Sequence, residues 1–168
     1  MKAAEFIIGI DGGGTKTAAV IADVQGTILA RRSGGPANFH ISGVERASRT
    51  IVALMKDCCV SAGCSLNDVG ASIIGLAGAG RAGDKKEIAK GILKVASSKN
   101  VKLRNLSIES DARVALEGAF KGGPGIVVIA GTGSIVYGKD VNGNIHRAGG
   151  WGRILGDEGS GFSIGRWR

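Results

Sequence analysis

The stretch Ile7-Ile8-Gly9-Ile10-Asp11-Gly12-Gly13-Gly14-Thr15-Lys16-Thr17 constrains this chain more than any other. An apolar run ends in an aspartate, three glycines follow, and two threonines flank a lysine. Glycine reaches backbone angles that other residues avoid and lets a ligand approach the main chain. Successive backbone N–H groups in such a turn make a concave cradle for phosphate oxygens, and the Thr15 hydroxyl adds a donor. Asp11 is of the type that holds a hydrated magnesium ion, which takes carboxylates, waters and substrate phosphates. Ala18-Ala19-Val20-Ile21-Ala22 then reads as a second strand. Strand, glycine turn, strand is neither the helix-opening turn of dinucleotide-binding folds nor the Walker spacing. On its own the stretch also fits an ordinary tight hairpin.

The pattern returns. Ile126-Val127-Val128-Ile129-Ala130 is an apolar run, Gly131-Thr132-Gly133-Ser134 a glycine–threonine turn, and Ile135-Val136-Tyr137 the next strand. A shift of 117 positions (132 − 15 = 117, 134 − 17 = 117) lays Thr15 on Thr132 and Thr17 on Ser134. The same shift lays Asp23-Val24-Gln25-Gly26 on Asp140-Val141-Asn142-Gly143, a favoured Asn-Gly turn. A repeated β-turn-β-turn-β unit changes the reading of the whole fold. Two glycine–threonine hairpins can grip one polyphosphate from two sides.

With 168 residues, 43% of them apolar, there is room for one domain or slightly more and for a packed core. Glycine, at 30 of 168 or about 18% against a usual roughly 7%, has no collagen period and clusters at turns. The charge balance, 22 − 14 = +8, favours anionic ligands such as nucleotides. Four Phe, two Trp and one Tyr are too few for a base-stacking platform, and no specific nucleic-acid motif is present. Cys58, Cys59 and Cys64 lack CxxC spacing and a nearby histidine, so they read as reduced structural thiols of a cytoplasmic protein. No apolar run reaches the roughly 18–20 residues that span a membrane, and residues 1–6 carry no signal-peptide pattern.

In order, strands are expected at Phe6–Ile10, Thr17–Asp23 and Thr27–Arg32, then a loop from Ser33 to His40. Ser42-Gly43-Val44-Glu45 has capping-box spacing and opens a helix whose stripe is Val44, Ala47, Ile51, Leu54, Cys58 and Ala62. A strand at Ala71–Ala77, a lysine-rich helix from Asp84 with Ile88, Ile92, Leu93 and Val95 inward, and a strand at Asn105–Glu109 follow. The last delivers Ser110-Asp111-Ala112 to a helix ending near Phe120, before the Lys121–Gly125 boundary. A meander followed by strand–helix alternation makes a mixed α/β sheet with helices packed on it. His40 and His146 have no ligand pattern and read as surface or packing residues.

The order of motifs resembles the actin-like, ribonuclease-H-like ATPases and sugar kinases. Within them it is similar to the N-acetylglucosamine kinase group of the BadF/BadG/BcrA/BcrD ATPases. The residues that carry the likeness are Asp11–Thr15, Ala77-Gly78-Ala79-Gly80-Arg81, Ser110-Asp111-Ala112, Gly131–Ser134, and Gly149-Gly150-Trp151-Gly152 with Gly156-Asp157-Glu158-Gly159. The resemblance implies two ribonuclease-H-like lobes, residues 1–122 and an incomplete 123–168, with ATP in the cleft between them. It implies that Gly12, Gly13, Gly14, Thr15 and Lys16 form one phosphate loop and Gly131, Thr132 and Gly133 the other, with Asp11 toward Mg2+. Asp111 becomes the general base, since a sugar hydroxyl must lose a proton as it attacks the γ-phosphorus. The implied sugar contacts are Asn38, Phe39, Asp111, Ser134, Ile135, Gly150, Trp151, Gly152 and Asp157. From the residues alone, an aspartate at a helix start like Asp111 is usually a cap and a loop asparagine like Asn38 usually a turn residue, and Trp151 also reads as a partly buried tryptophan.

The implied substrates are ATP and N-acetylglucosamine or glucosamine, the product a 6-phosphate. The family's adenosine-binding glycine motif and the rest of its second lobe are not found. The chain is therefore expected to be part of a longer enzyme, inactive by itself and prone to self-association or a homodimer. The alternatives are an ATPase activator of an iron–sulfur dehydratase or reductase, and a non-catalytic sugar-binding remnant.

Overall fold

The computed structural model describes residues 6–152 and 154–166. Strands β1 (Phe6–Gly12), β2 (Thr17–Asp23) and β3 (Ile28–Gly34) form an antiparallel meander. A short helix α1 (Phe39–Ser42) leads to α2 (Val44–Ser61), a 3-10 turn (Leu66–Asp68), β4 (Val69–Leu76), α3 (Ala82–Ser97) and β5 (Leu106–Ser110). Strands β4 and β5 add parallel to β1, so the five-stranded sheet runs β3-β2-β1-β4-β5. Helix α4 (Asp111–Phe120), the meander β6 (Gly125–Ala130), β7 (Ser134–Lys139) and β8 (Ile145–Gly149), and α5 (Gly161–Gly165) complete the chain. β6-β7-β8 is a separate antiparallel sheet.

Two compact units result, Met1–Asp111 and Ala112–Arg168. In the first, Ile8, Ile10, Ala19, Ile21 and Ile74 bury one sheet face against Ile51, Val52, Met55 and Cys58 of α2 and Ile88 and Ile92 of α3. The two helices approach closely because Gly91 has no side chain. A Cβ there would lie 2.5 Å from Ser48 Oγ and 2.7 Å from Val44. In the second unit, Ala112 and Leu116 of α4 pack with Tyr137 on Val127, Ile129 and Ile135. Helix α4 thus shares its core with the second sheet, whereas the lobe boundary expected from sequence falls after it, at residue 122.

The helix expected to open on a Ser42 capping box starts differently. Ser42 ends α1 and donates its hydroxyl to Asn38 O at 3.0 Å. Gly43, at φ +79°, is the N-cap of α2 and has no side chain to cap with. Cys58 and Cys59 are buried in the core, and no disulfide occurs among the described residues. Burial pushes the Cys59 thiol up to about 12. No helix of the described residues is long and apolar enough to cross a membrane.

Candidate functional site

In the first unit the parallel strands end in one row. Gly12 pairs with Leu76, and Leu76 with Ser110. Three connections therefore leave the same sheet edge: the 13–16 turn, the turn from Ala77 to Arg81, and Asp111. Ligands of open α/β sheets sit beyond the carboxyl ends of the strands. Asp11 carries the last side chain of β1, since the strand ends on Gly12. It is exposed and makes no hydrogen bond or ion pair among the described residues.

The turn itself is closed by Gly13 N–H donating to Lys16 O at 2.9 Å. That bond leaves the N–H groups of Gly14, Thr15 and Lys16 without a partner among the described residues, all three exposed. Three undirected donors beside a glycine-lined approach suit the oxygens of an anion, which is what a phosphate cradle requires. The turn is tied down from below. Ala37 and Asn38 N–H both donate to Gly13 O (3.1 and 3.2 Å), and Ala77 N–H donates to Gly12 O (3.0 Å). A Cβ on Gly12 would stand 2.3 Å from Leu76 Cδ2 and 3.3 Å from Ala37 Cβ, so any larger residue there would have to displace the buried Leu76 side chain. Thr17 is completely buried and donates its hydroxyl to Gly35 O at 2.7 Å.

Asn38 and Phe39 come to the same edge through the loop after β3. Asn38 Oδ1 accepts from His40 N–H at 3.1 Å and so caps α1. The Phe39 ring is buried in the core beside the His40 ring. Its side chain is committed to packing.

His40, read from sequence as a surface or packing residue, packs on the turn that follows β4. Its Nε2 lies 3.2 Å from Gly78 O and 3.9 Å from an Asp84 carboxylate oxygen. A Cβ on Gly78, whose φ is +92°, would meet the ring at 2.5 Å. His40 therefore docks α1 onto the turn that follows β4. The contact spans 38 positions, and the only hint in the sequence was a glycine-rich turn in need of a neighbour. Arg81 is the exposed N-cap of α3. Asp111 is exposed and is the first residue of α4.

In the second unit Gly131 N–H closes the turn onto Gly133 O at 2.9 Å. Gly161 N–H donates to Gly131 O at 2.8 Å, tying the start of α5 beneath it. Thr132 is exposed, as Thr15 is. Asp157, at φ +63°, is buried beside this turn. A Cβ on Gly133 would sit 2.9 Å from its Oδ2, and its Oδ1 accepts from Gly152 N–H at 3.3 Å. Ser134 gives its hydroxyl to Glu158 O at 2.8 Å. Gly150, at φ +70°, lies on Ile135, which a Cβ would meet at 2.5 Å. Trp151 is 68% exposed. The residues expected to contact sugar in this unit thus form one neighbourhood: Ser134 and Ile135 below, Asp157 buried, and the Gly150-Trp151-Gly152 turn above.

No group of three or more His, Cys, Asp or Glu among the described residues could hold a metal by itself. Asp11 would have to share Mg2+ with waters and phosphate, the habit of that ion. Cys58 and Cys59, buried in the first core, are not presented for a cluster shared between subunits.

Residues 8–168 match the BadF/BadG/BcrA/BcrD ATPase family. The chain is 39% identical over 161 residues to the N-acetylmuramic acid/N-acetylglucosamine kinase of Clostridium acetobutylicum, covering 96% of this chain and 51% of that protein. It is 37% identical over 169 residues to the N-acetyl-D-glucosamine kinase of Dictyostelium discoideum, covering 96% and 52%. A crystal structure of a candidate N-acetylglucosamine kinase from Chromobacterium violaceum superposes with a TM-score of 0.77 at 30% identity, over 99% of this chain and 56% of that one. The chain thus spans about half the length of the curated relatives it matches, and the expected mixed α/β fold of the actin-like sugar kinases is borne out.

Proposed function

Because the chain belongs to the BadF/BadG/BcrA/BcrD ATPase family, we propose that it serves ATP-dependent phosphorylation of an amino sugar, N-acetylglucosamine or glucosamine, at the 6-hydroxyl. The observation that carries this reading is the single row of strand ends that brings three uncommitted N–H donors, Asp11 and Asp111 to one sheet edge. The N–H groups of Gly14, Thr15 and Lys16 would take phosphate oxygens, with Thr132 and its turn a second set. Asp11 would hold Mg2+, which neutralises charge on the transferring phosphoryl group when bound. Asp111 would accept the proton of the sugar hydroxyl, a role worth typically about 10²–10⁴-fold in rate. Asn38, Ser134, Ile135, Asp157 and the Gly150–Gly152 turn would orient the sugar.

Two measurements test this. Addition of MgATP should move the backbone amide resonances of residues 13–16 and 131–133 in preference to those of β3. Silence at both turns would remove the phosphate reading. In the full product of its gene, Asp111→Asn should lower sugar-dependent ADP release at least about 100-fold with sugar affinity little changed. Turnover within a few-fold of the parent would reduce Asp111 to a helix-starting residue.

A further inference from the structure

Helix α2 ends in a turn whose two meeting side chains are both cysteines. Gly63, at φ +71°, reverses the chain, and its N–H donates to Val60 O at 3.2 Å. Cys64 N–H donates to Cys59 O at 2.9 Å. This double closure of a helix end sets the side chain after the glycine against one in the last turn, a contact that is usually hydrophobic. Here it joins two sulfurs, the Cys59 thiol donating a hydrogen bond to Cys64.

Both cysteines line one surface cavity of about 350 Å³, with Val60, Leu66, Lys56 and Lys99 among its walls. Cys64 is half-buried and Cys59 only 1% exposed, so the pair is open to the cavity mainly through Cys64. Cys58 is fully buried and is not part of the cavity wall. Neither Lys56 nor Lys99 pairs with a carboxylate among the described residues. Burial above all pushes both thiols up, Cys59 to about 12, while the bond from Cys59 draws Cys64 back. Cys64 is therefore the nucleophile of the pair and Cys59 the group that follows. Thiols that resist ionisation gain little from staying reduced, and a disulfide carries no charge to desolvate.

We propose that Cys59 and Cys64 are a dithiol modification site, which small anionic disulfides of the glutathione type oxidise to an intramolecular bond across the end of α2. The Cys64 sulfur, as thiolate, attacks one sulfur of the reagent. The reagent's S–S bond breaks, a mixed disulfide forms, and one small thiolate leaves. Cys59 then gives its proton to solvent, and its sulfur attacks the Cys64 sulfur and expels the second thiolate. Two protein thiols are oxidised, and one small disulfide is reduced to two thiols that take up the protons released. Lys56 and Lys99 draw the reagent's carboxylates to the cavity.

Oxidised glutathione added to this chain at low salt, followed by intact mass and peptide mapping, tests the site. The expected product has lost two hydrogens, links Cys59 to Cys64, and returns to the parent with dithiothreitol. Cys59→Ala should stop at a glutathione adduct on Cys64. Cys64→Ala should react at least about tenfold more slowly, because its remaining thiols are buried. Cys58→Ala should behave as the parent. Cystamine, a cationic disulfide, should react more slowly than oxidised glutathione at low salt, and the gap should close at high salt. The peptide map of the parent decides the linkage even where a variant fails to fold. A stable glutathione adduct as the end product, a bond to Cys58 or to a second chain, or thiols that stay free while the urea-unfolded chain reacts overturns the proposal. Cystamine reacting as fast as oxidised glutathione overturns the choice of an anionic oxidant.

Discussion

Ile8 and Ile10 of β1 are buried, while their counterparts in β6, Ile126 and Val128, are each 67% exposed. The equivalence follows from register. Gly12 faces Thr17 across the first glycine turn and Ala130 faces Ser134 across the second. The first turn holds four residues and the second three, so the offset is 118 before the turn (128 − 10 = 118) and 117 after it (134 − 17 = 117). The two meanders share their local chemistry. Thr17 and Ser134 each give a hydroxyl to a distant backbone carbonyl, at 2.7 and 2.8 Å. Asp23 and Asp140 each accept two backbone N–H bonds across a turn closed by a glycine at φ +88° or +83°.

What differs is the side that is covered. Helices α2 and α3 lie on the Ile8–Ile10 face of the first sheet; α4 lies on the opposite face of the second. Residue choice follows the cover. Gly9, Asp11 and Ala18 stand where the second sheet has Val127, Ile129 and Ile135. The hairpin is thus a local property of the chain, whereas burial depends on which helix the chain brings back. The face of Ile126 and Val128 is left as an apolar patch in this unit.

The largest expected consequence is in local stability. Amides of Ile8–Ile10 and Ile74–Leu76 should exchange only through global unfolding, and those of β6–β8 through smaller openings. Hydrogen exchange should show the two regions apart by about 1000-fold, or roughly 4 kcal/mol. Uniform protection across both meanders would break the comparison.

A pair of substitutions sharpens it. Ile10→Ala deletes fully packed atoms and should cost about 2–5 kcal/mol in urea denaturation. Val128→Ala, at the equivalent but exposed place, should stay within about 0.5 kcal/mol. Equal losses would mean that the second face is covered in solution. The hydroxyl pair comes next. Thr17→Val removes the part-buried bond from a buried hydroxyl to the exposed Gly35 O and should cost about 0.5–1.5 kcal/mol. Ser134→Ala, whose bond is exposed, should cost less than about 1 kcal/mol by the same reasoning.

Much of this was legible from residues alone. The strand–turn–strand units, the repeat, the Asp140 turn and the delivery of Asp111 to a helix start all follow from short-range patterns, and the structure has each of them. What was hidden depended on contacts far apart in sequence. Ser42 has capping-box spacing, but Gly43 at φ +79° separates two helices there, because α1 is held against Gly78 by His40. Phe39 reads as a loop residue, yet its ring completes the first core. The Arg147–Trp151 pairing was equally invisible, since it needs the chain to turn back at Gly149 and Gly150, both at positive φ.

The smallest effect separates the two aspartate turns. Asp23 accepts from Gln25 and Thr27 N–H through one oxygen. Asp140 accepts from Asn142 and Asn144 N–H likewise, and its second oxygen takes Asn144 Nδ2 at 2.9 Å and lies 3.3 Å from His146 Nε2. The side-chain bond from Asn144 is the main reason that the Asp140 carboxyl falls from 3.8 to about 2. A depressed carboxylate stabilises the fold above its ordinary range and loses that contribution as the pH falls through its folded value. The 140–144 turn should therefore keep its hydrogen bonds at pH 3 and release them only near pH 2. The amide shift of Asn144, followed by NMR during acid titration, should turn over near that value. Asn144→Thr, which copies the first turn by placing threonine where Thr27 stands, should move the midpoint upward toward 3.8. A parent midpoint already at that ordinary value, unmoved by the substitution, would show that the extra donors add nothing and that the two turns are chemically the same.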